Sequence, residues 1–175
     1  MIPTLAMLGL GFLLVAIQSA LGAMLDLGSL MPNPVLPIVL YLGMTPDISL
    51  ARGSVISFSL GLMLDSAAGQ SMGLYTFVHQ ASFLVTRGAS VRLFMRGQLS
   101  QVLLATAASI LGSATIVALR GIFRPAGHFE AVSAWHLTSA VVLSGLSTGL
   151  LAPFILQIVR RLDQLRRREE STAVR

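Results

Sequence analysis

The chain has 175 residues, of which 54% are apolar and 11% charged, against roughly a quarter charged in an average soluble domain. A small domain leaves too much of its area exposed to keep that apolar surface from water, and disorder requires low hydrophobicity, so both are excluded and a polytopic membrane protein remains. The net charge is +5, the twelve basic residues are all arginine, and there is no cysteine, which excludes disulfide scaffolds, cysteine zinc sites and iron–sulfur clusters.

A membrane helix needs about 20 apolar residues, and the charged residues divide the chain into candidates. Residues 3–25 form the first predicted span, ended by Asp26. It lacks the basic leader of a signal peptide and is long for its apolar region, so it is expected to be a retained span. The second lies between Asp26 and Asp47, with Pro32, Pro34 and Pro37 crowding its start. Regular helix is expected only over 34–44, roughly 16 Å, about half the hydrocarbon thickness. Two readings stay open. It is a short helix with a proline start, which the first turn tolerates, or a broken helix lining a cavity.

The third span is predicted over 48–64. Thr45-Pro46-Asp47 supplies its start signal: a hydroxyl cap, a proline at the first helical position and an acid in the first turn. Arg52 is expected to snorkel back to the same interface. Spans four, five and six are predicted over 72–91, 98–119 and 132–159. The last, at roughly 42 Å, exceeds the hydrocarbon core and should tilt or extend beyond it. The fold class is thus an all-α polytopic membrane protein with six transmembrane helices. A six-span domain covers residues 1–159. A basic cytoplasmic tail, 160–175, holds six of the twelve arginines and is expected to lie as a solvated helix near anionic lipid.

Six spans place both termini on one side. Arg52, Arg87, Arg92, Arg96 and the tail fall there, ten of twelve arginines, which the positive-inside rule makes cytoplasmic. Asp26, Asp65, Arg120, Arg124 and Glu130 fall on the other. Arginines grouped beside apolar spans indicate a membrane flank, not a nucleic-acid partner.

Five features are candidates for function. Gly53, Ser57, Gly61 and Asp65 recur every four residues, a stripe of small side chains ending in a carboxylate, and Gly69 and Gly73 carry the glycine usage into span four. Such a stripe serves helix packing within the fold or contact with a partner helix, with Leu60 beside it expected to meet lipid. Asp65 is costly in a membrane helix and should face protein or a cavity. It is read as a protein-facing anchor for the glycine-rich turn, with a charge-dependent role as the alternative. Gln18, Asp65, Tyr75 and His79 all project toward the outer half and could converge on an outward pocket, or each could bond a neighbouring carbonyl. Arg87, Arg92 and Arg96 form a cytoplasmic basic surface that sets topology or docks a partner. Gly145 and Gly149 make a weak small-residue motif in span six. Metalloprotease, nucleophile-elbow and phosphate-loop motifs are lacking, and His79, His128 and His136 do not have metal-ligand spacing. No enzyme, metal or cofactor is expected.

One resemblance organises these features. The run PNPVLPIVLYLG, then Arg52-Gly53, Gly61-Leu62-Met63-Leu64-Asp65-Ser66, Met72-Gly73-Leu74, and Arg87-Gly88 with Arg92-Leu93-Phe94 resemble the bacterial rod shape-determining MreD family over residues 32–97. Outside that stretch the likeness is one of length and hydropathy. The resemblance implies a six-helix fold similar to the substrate-binding component of energy-coupling-factor transporters, in the bacterial cytoplasmic (inner) membrane. It implies a non-enzymatic scaffold of the cell-elongation machinery. Its partners would be an MreC-like bitopic membrane protein, RodA with its class B penicillin-binding-protein synthase, and the MreB cytoskeleton. The alternative is a small-solute-binding membrane component of a vitamin-type transporter, its solute seated near Asp65 and His79.

Overall fold

The computed structural model describes residues 2–25, 31–68, 73–90, 98–123 and 134–173. Six helices follow one another: α1 (Ile2–Leu25), α2 (Leu36–Met44), α3 (Leu50–Ala68), α4 (Leu74–Ser90), α5 (Gln98–Phe123) and α6 (Ala134–Ala173). No strand occurs among the described residues. Three helices contain segments long and apolar enough to cross a membrane, Thr4–Met24, Leu99–Ile122 and Trp135–Gln164. Their outward faces carry Phe12, Met24, Leu103, Leu111, Leu150 and Phe154, all exposed. Such faces suit lipid, and the chain is an all-helical membrane protein.

α2 organises the interior. Its nine residues give about 14 Å of helix, too short to cross a bilayer alone. Every residue from Leu36 to Gly43 is buried, so other helices shield it from lipid. Val35, Ile38, Val39 and Leu42 pack with Ile56, Leu60 and Leu64 of α3, Phe83 of α4, and Ile155, Leu156 and Val159 of α6. On its other side Leu36 and Leu40 meet Ala105 of α5 and Ala152 of α6. Its regular helix starts two residues after the predicted position, because Pro34 and Val35 form a turn first.

Other boundaries shift for physical reasons. The Thr45-Pro46-Asp47 signal does not start α3. Thr45 ends α2 instead, donating both its N–H (3.0 Å) and its hydroxyl (2.8 Å) to the Tyr41 carbonyl. Pro46 and Asp47 form a turn, and α3 starts at Leu50 behind Ser49, whose Oγ accepts the Arg52 N–H at 3.4 Å. Asp65, expected to end the third span, lies inside α3, which continues to Ala68. Leu60 does not meet lipid; it is fully buried and covers Gly11 of α1, leaving no room for a side chain there. α6 continues as one helix of 40 residues through positions 159 and 160, with Pro153 inside it. Gly145 and Gly149 of α6 seat Ile110 and Thr106 of α5 so closely that neither glycine has space for a Cβ.

Candidate functional site

The stripe on α3 faces α4. A Cβ on Gly61 would lie 2.5 Å from Thr76 Cα and 3.0 Å from Thr76 N, both backbone atoms. A Cβ on Gly53 would run into the Phe83 ring, and Ser57, between Gly53 and Gly61 along the stripe, is fully buried. The small residues thus bring two helices of the same chain together. Gly69 lies outside the described residues. Gly73 has φ +103°, the left-handed region that glycine adopts freely, and turns the chain into α4.

Asp65 is 1% exposed and receives four hydrogen bonds from that turn. Its Oδ2 accepts the N–H of Gly73 (3.0 Å), the N–H of Thr76 (3.0 Å) and the Thr76 hydroxyl (2.6 Å); its Oδ1 accepts the Tyr75 N–H (2.9 Å). The first N–H groups of a helix have no partner within it, and a carboxylate there also complements the helix dipole. Asp65 is thus the N-terminal cap of α4, supplied from another helix. The close approach at Gly61 puts the carboxylate within reach.

The hydrogen bonds continue from that cap. His79, fully buried, has Nδ1 2.7 Å from the Tyr75 carbonyl and Nε2 3.4 Å from Asn33 Nδ2. The carbonyl can only accept, so Nδ1 donates, and Nε2 accepts from Asn33 in the neutral ring. Asn33 Oδ1 accepts the N–H groups of Val35 and Leu36 (3.2 and 3.3 Å), which fixes its amide orientation and caps the turn into α2. Its own N–H donates to Thr148 Oγ1 at 2.9 Å. Thr148 also accepts from the Ser109 hydroxyl (3.3 Å) and donates to the Ser144 carbonyl (2.7 Å), while Ser144 Oγ donates to the Met31 carbonyl (3.1 Å). One polar chain therefore ties α3, α4, α5 and α6 to the lead-in of α2.

Beside this chain opens a cavity of about 350 Å³. Gln18, Asn33, Tyr75, Ser109, Ser144 and Arg120 supply polar groups to its wall. Of the four residues expected to converge, Gln18 and Tyr75 line it, while Asp65 and His79 do not. Those two are engaged behind the wall, Asp65 on the backbone N–H of Tyr75 and His79 on its carbonyl.

At the opposite end of α4, Arg87 departs from the expected basic surface. Its guanidinium donates to the carbonyls of Thr45 (2.6 Å), Pro46 (3.2 Å) and Ile48 (2.8 Å). The turn after α2 presents carbonyls without helical partners, and a planar fork with five donors satisfies several at once. Arg92 and Arg96 lie outside the described residues.

Asn33, Arg120, Ser144 and Thr148 were missed from sequence. Asn-Pro is a turn-initiating pair and could have indicated the cap. The hydroxyls carried no signal, because Ser and Thr in membrane helices commonly bond their own helix four residues back. Compared with protein-family models, characterised proteins and solved structures, the chain matches none.

Proposed function

We propose that the chain is a non-enzymatic membrane scaffold of the bacterial cell-elongation machinery, acting as the MreD family does in maintaining rod shape. The observation that carries this reading is the use of the polar motif residues. Asn33, Asp65 and Arg87 all commit hydrogen bonds to backbone groups around α2 and the α4 cap. They hold a rigid bundle and leave broad apolar lateral faces on α1, α3 and α5 for helices of partners. The partners proposed are an MreC-like bitopic protein, RodA with its class B penicillin-binding-protein synthase, and the MreB cytoskeleton. In this reading α3 and α4 also cross the cytoplasmic membrane, α2 completes a shielded sixth segment, and both termini are cytoplasmic. Expression in a rod-shaped bacterium depleted of its own MreD is the test, with co-purification in mild detergent. Restored rods and a co-purifying bitopic partner are expected. Round cells at normal protein levels, with no partner recovered, would refute it.

The cavity of about 350 Å³ favours a second reading, a small-solute-binding component of a vitamin-type transporter. A water-soluble molecule retained stoichiometrically by the purified protein would favour it over the scaffold.

A further inference from the structure

A second hollow, of about 300 Å³, lies between α4 and α5 and is almost wholly apolar. Phe77, Ala81 and Val85 of α4 face Leu104, Ala107 and Leu111 of α5 across it. It shares Val78, Ala108 and Gly112 with the polar cavity, so the two adjoin at one wall. That wall is tight: a Cβ on Gly112 would lie 2.7 Å from Val78 Cγ1. Away from this contact the helices leave the groove between them. From Phe77 to Thr86 the groove follows α4 for about 14 Å, roughly half the hydrocarbon thickness and hence one leaflet.

The polar cavity has a definite chemistry. Arg120 is its cation, half-buried at the end of α5, and no carboxylate lines it among the described residues. Gln18 Oε1 is buried and has no hydrogen-bond partner, so the wall offers an acceptor that needs a donor. A cation at membrane depth calls for an anion, and a guanidinium matches phosphate with paired hydrogen bonds. A buried amide oxygen calls for a hydroxyl. A ligand with phosphate and hydroxyl groups at one end and a leaflet-length apolar chain at the other meets all three demands.

We infer that the two adjoining hollows bind one anionic phospholipid with a hydroxylated headgroup, of the phosphatidylglycerol kind, its head on Arg120 and Gln18 and one chain laid past the Val78–Gly112 contact in the α4–α5 groove. The inference is independent of the scaffold reading. The test uses the full chain, purified, stripped of lipid and examined by native mass spectrometry. Dioleoyl phosphatidylglycerol, dioleoyl phosphatidylcholine and glycerol 3-phosphate are added in separate arms. One phosphatidylglycerol should be retained about tenfold more tightly than phosphatidylcholine, whose choline cation offsets the phosphate charge facing Arg120 and brings no hydroxyl to Gln18. Arg120→Gln should abolish that preference. Ala107→Phe, at an exposed groove position, should fill the groove and weaken binding of both lipids. Arg52→Gln, exposed near the start of α3 and outside both hollows, should change nothing. Equal retention of the two lipids, or an unchanged preference in Arg120→Gln, overturns the inference. So does glycerol 3-phosphate binding as tightly as the lipid with Ala107→Phe silent, which would make the cavity a site for a soluble anion. Should Arg120→Gln fail to fold, the wild-type preference and the Ala107→Phe loss decide.

Discussion

Removing the Asp65 carboxylate should be among the most damaging single changes in the chain. Asp65→Leu leaves the N–H groups of Gly73, Tyr75 and Thr76 and the Thr76 hydroxyl without their acceptor. The site is buried, and each unsatisfied donor costs roughly 1–3 kcal/mol. Three backbone donors alone thus approach the ~5–15 kcal/mol stability of a typical fold. Asp65→Asn is a finer probe. Its remaining oxygen can take the Oδ2 position, where Gly73 and Thr76 donate, but its NH₂ then faces the Tyr75 N–H, donor against donor. One charge-assisted bond gives way to a repulsive approach of two donors, a loss of about 2–3 kcal/mol. Thr76→Val removes one donor together with its bond and should cost less than either. The expected order of apparent melting temperature in detergent is wild type, Thr76→Val, Asp65→Asn, Asp65→Leu. Asp65→Leu melting within a degree or two of wild type would refute the cap. Asp65→Asn failing in cells as completely as Asp65→Leu, at normal levels of both, would replace the anchor with a role that needs the charge itself.

Three further outcomes are expected. Gly61→Ala should already lower the apparent melting temperature and Gly61→Leu lower it more, by the ~1–3 kcal/mol of overpacking, because the obstructing atoms are Thr76 backbone; Val55→Ala, at an exposed position on the same helix, is the control. Arg87→Gln should loosen the 45–49 turn, seen as faster proteolysis there, with Arg87→Lys restoring only part of the protection because a point charge cannot fork across three carbonyls. Reporter fusions after residue 173 and near residue 127 should report opposite sides of the membrane, and the same side for both would contradict six crossings.

The helices were legible because charges and glycines mark their ends in a chain otherwise apolar. Their capping was less so. Thr45-Pro46-Asp47 has the residue types of a helix start, yet the same threonine hydroxyl also suits a helix end, where it bonds back to Tyr41. Local sequence leaves those two uses equivalent, and packing of the short α2 inside the bundle decides between them. Arg87 reads from sequence as one of three like charges, and only the folded chain brings it to the turn 39 to 42 residues earlier. The cavity was half legible: Gln18 and Tyr75 were named, but Ser109, Ser144 and Arg120 come from helices whose register against the others no periodicity specified.

Leu60 and Leu62 show why interior and exterior are hard to separate in such a chain. They are the same residue two positions apart on α3, one fully buried and the other 43% exposed. In water the exposed one would be disfavoured and hydrophobicity would mark the core. In lipid both positions are equally apolar, so hydrophobicity no longer discriminates, and close packing with satisfied polar groups takes its place. The residues that locate the interior are therefore the small and polar ones. Gly11 receives Leu60, Gly61 receives Thr76, and Asp65 receives the start of α4. On the same logic Asp65, His79 and Asn33, which would mark a reactive centre in a soluble protein, here first satisfy backbone groups and one another. The polar groups that face the cavity, Arg120 and the unpartnered oxygen of Gln18, are the ones left to meet a ligand.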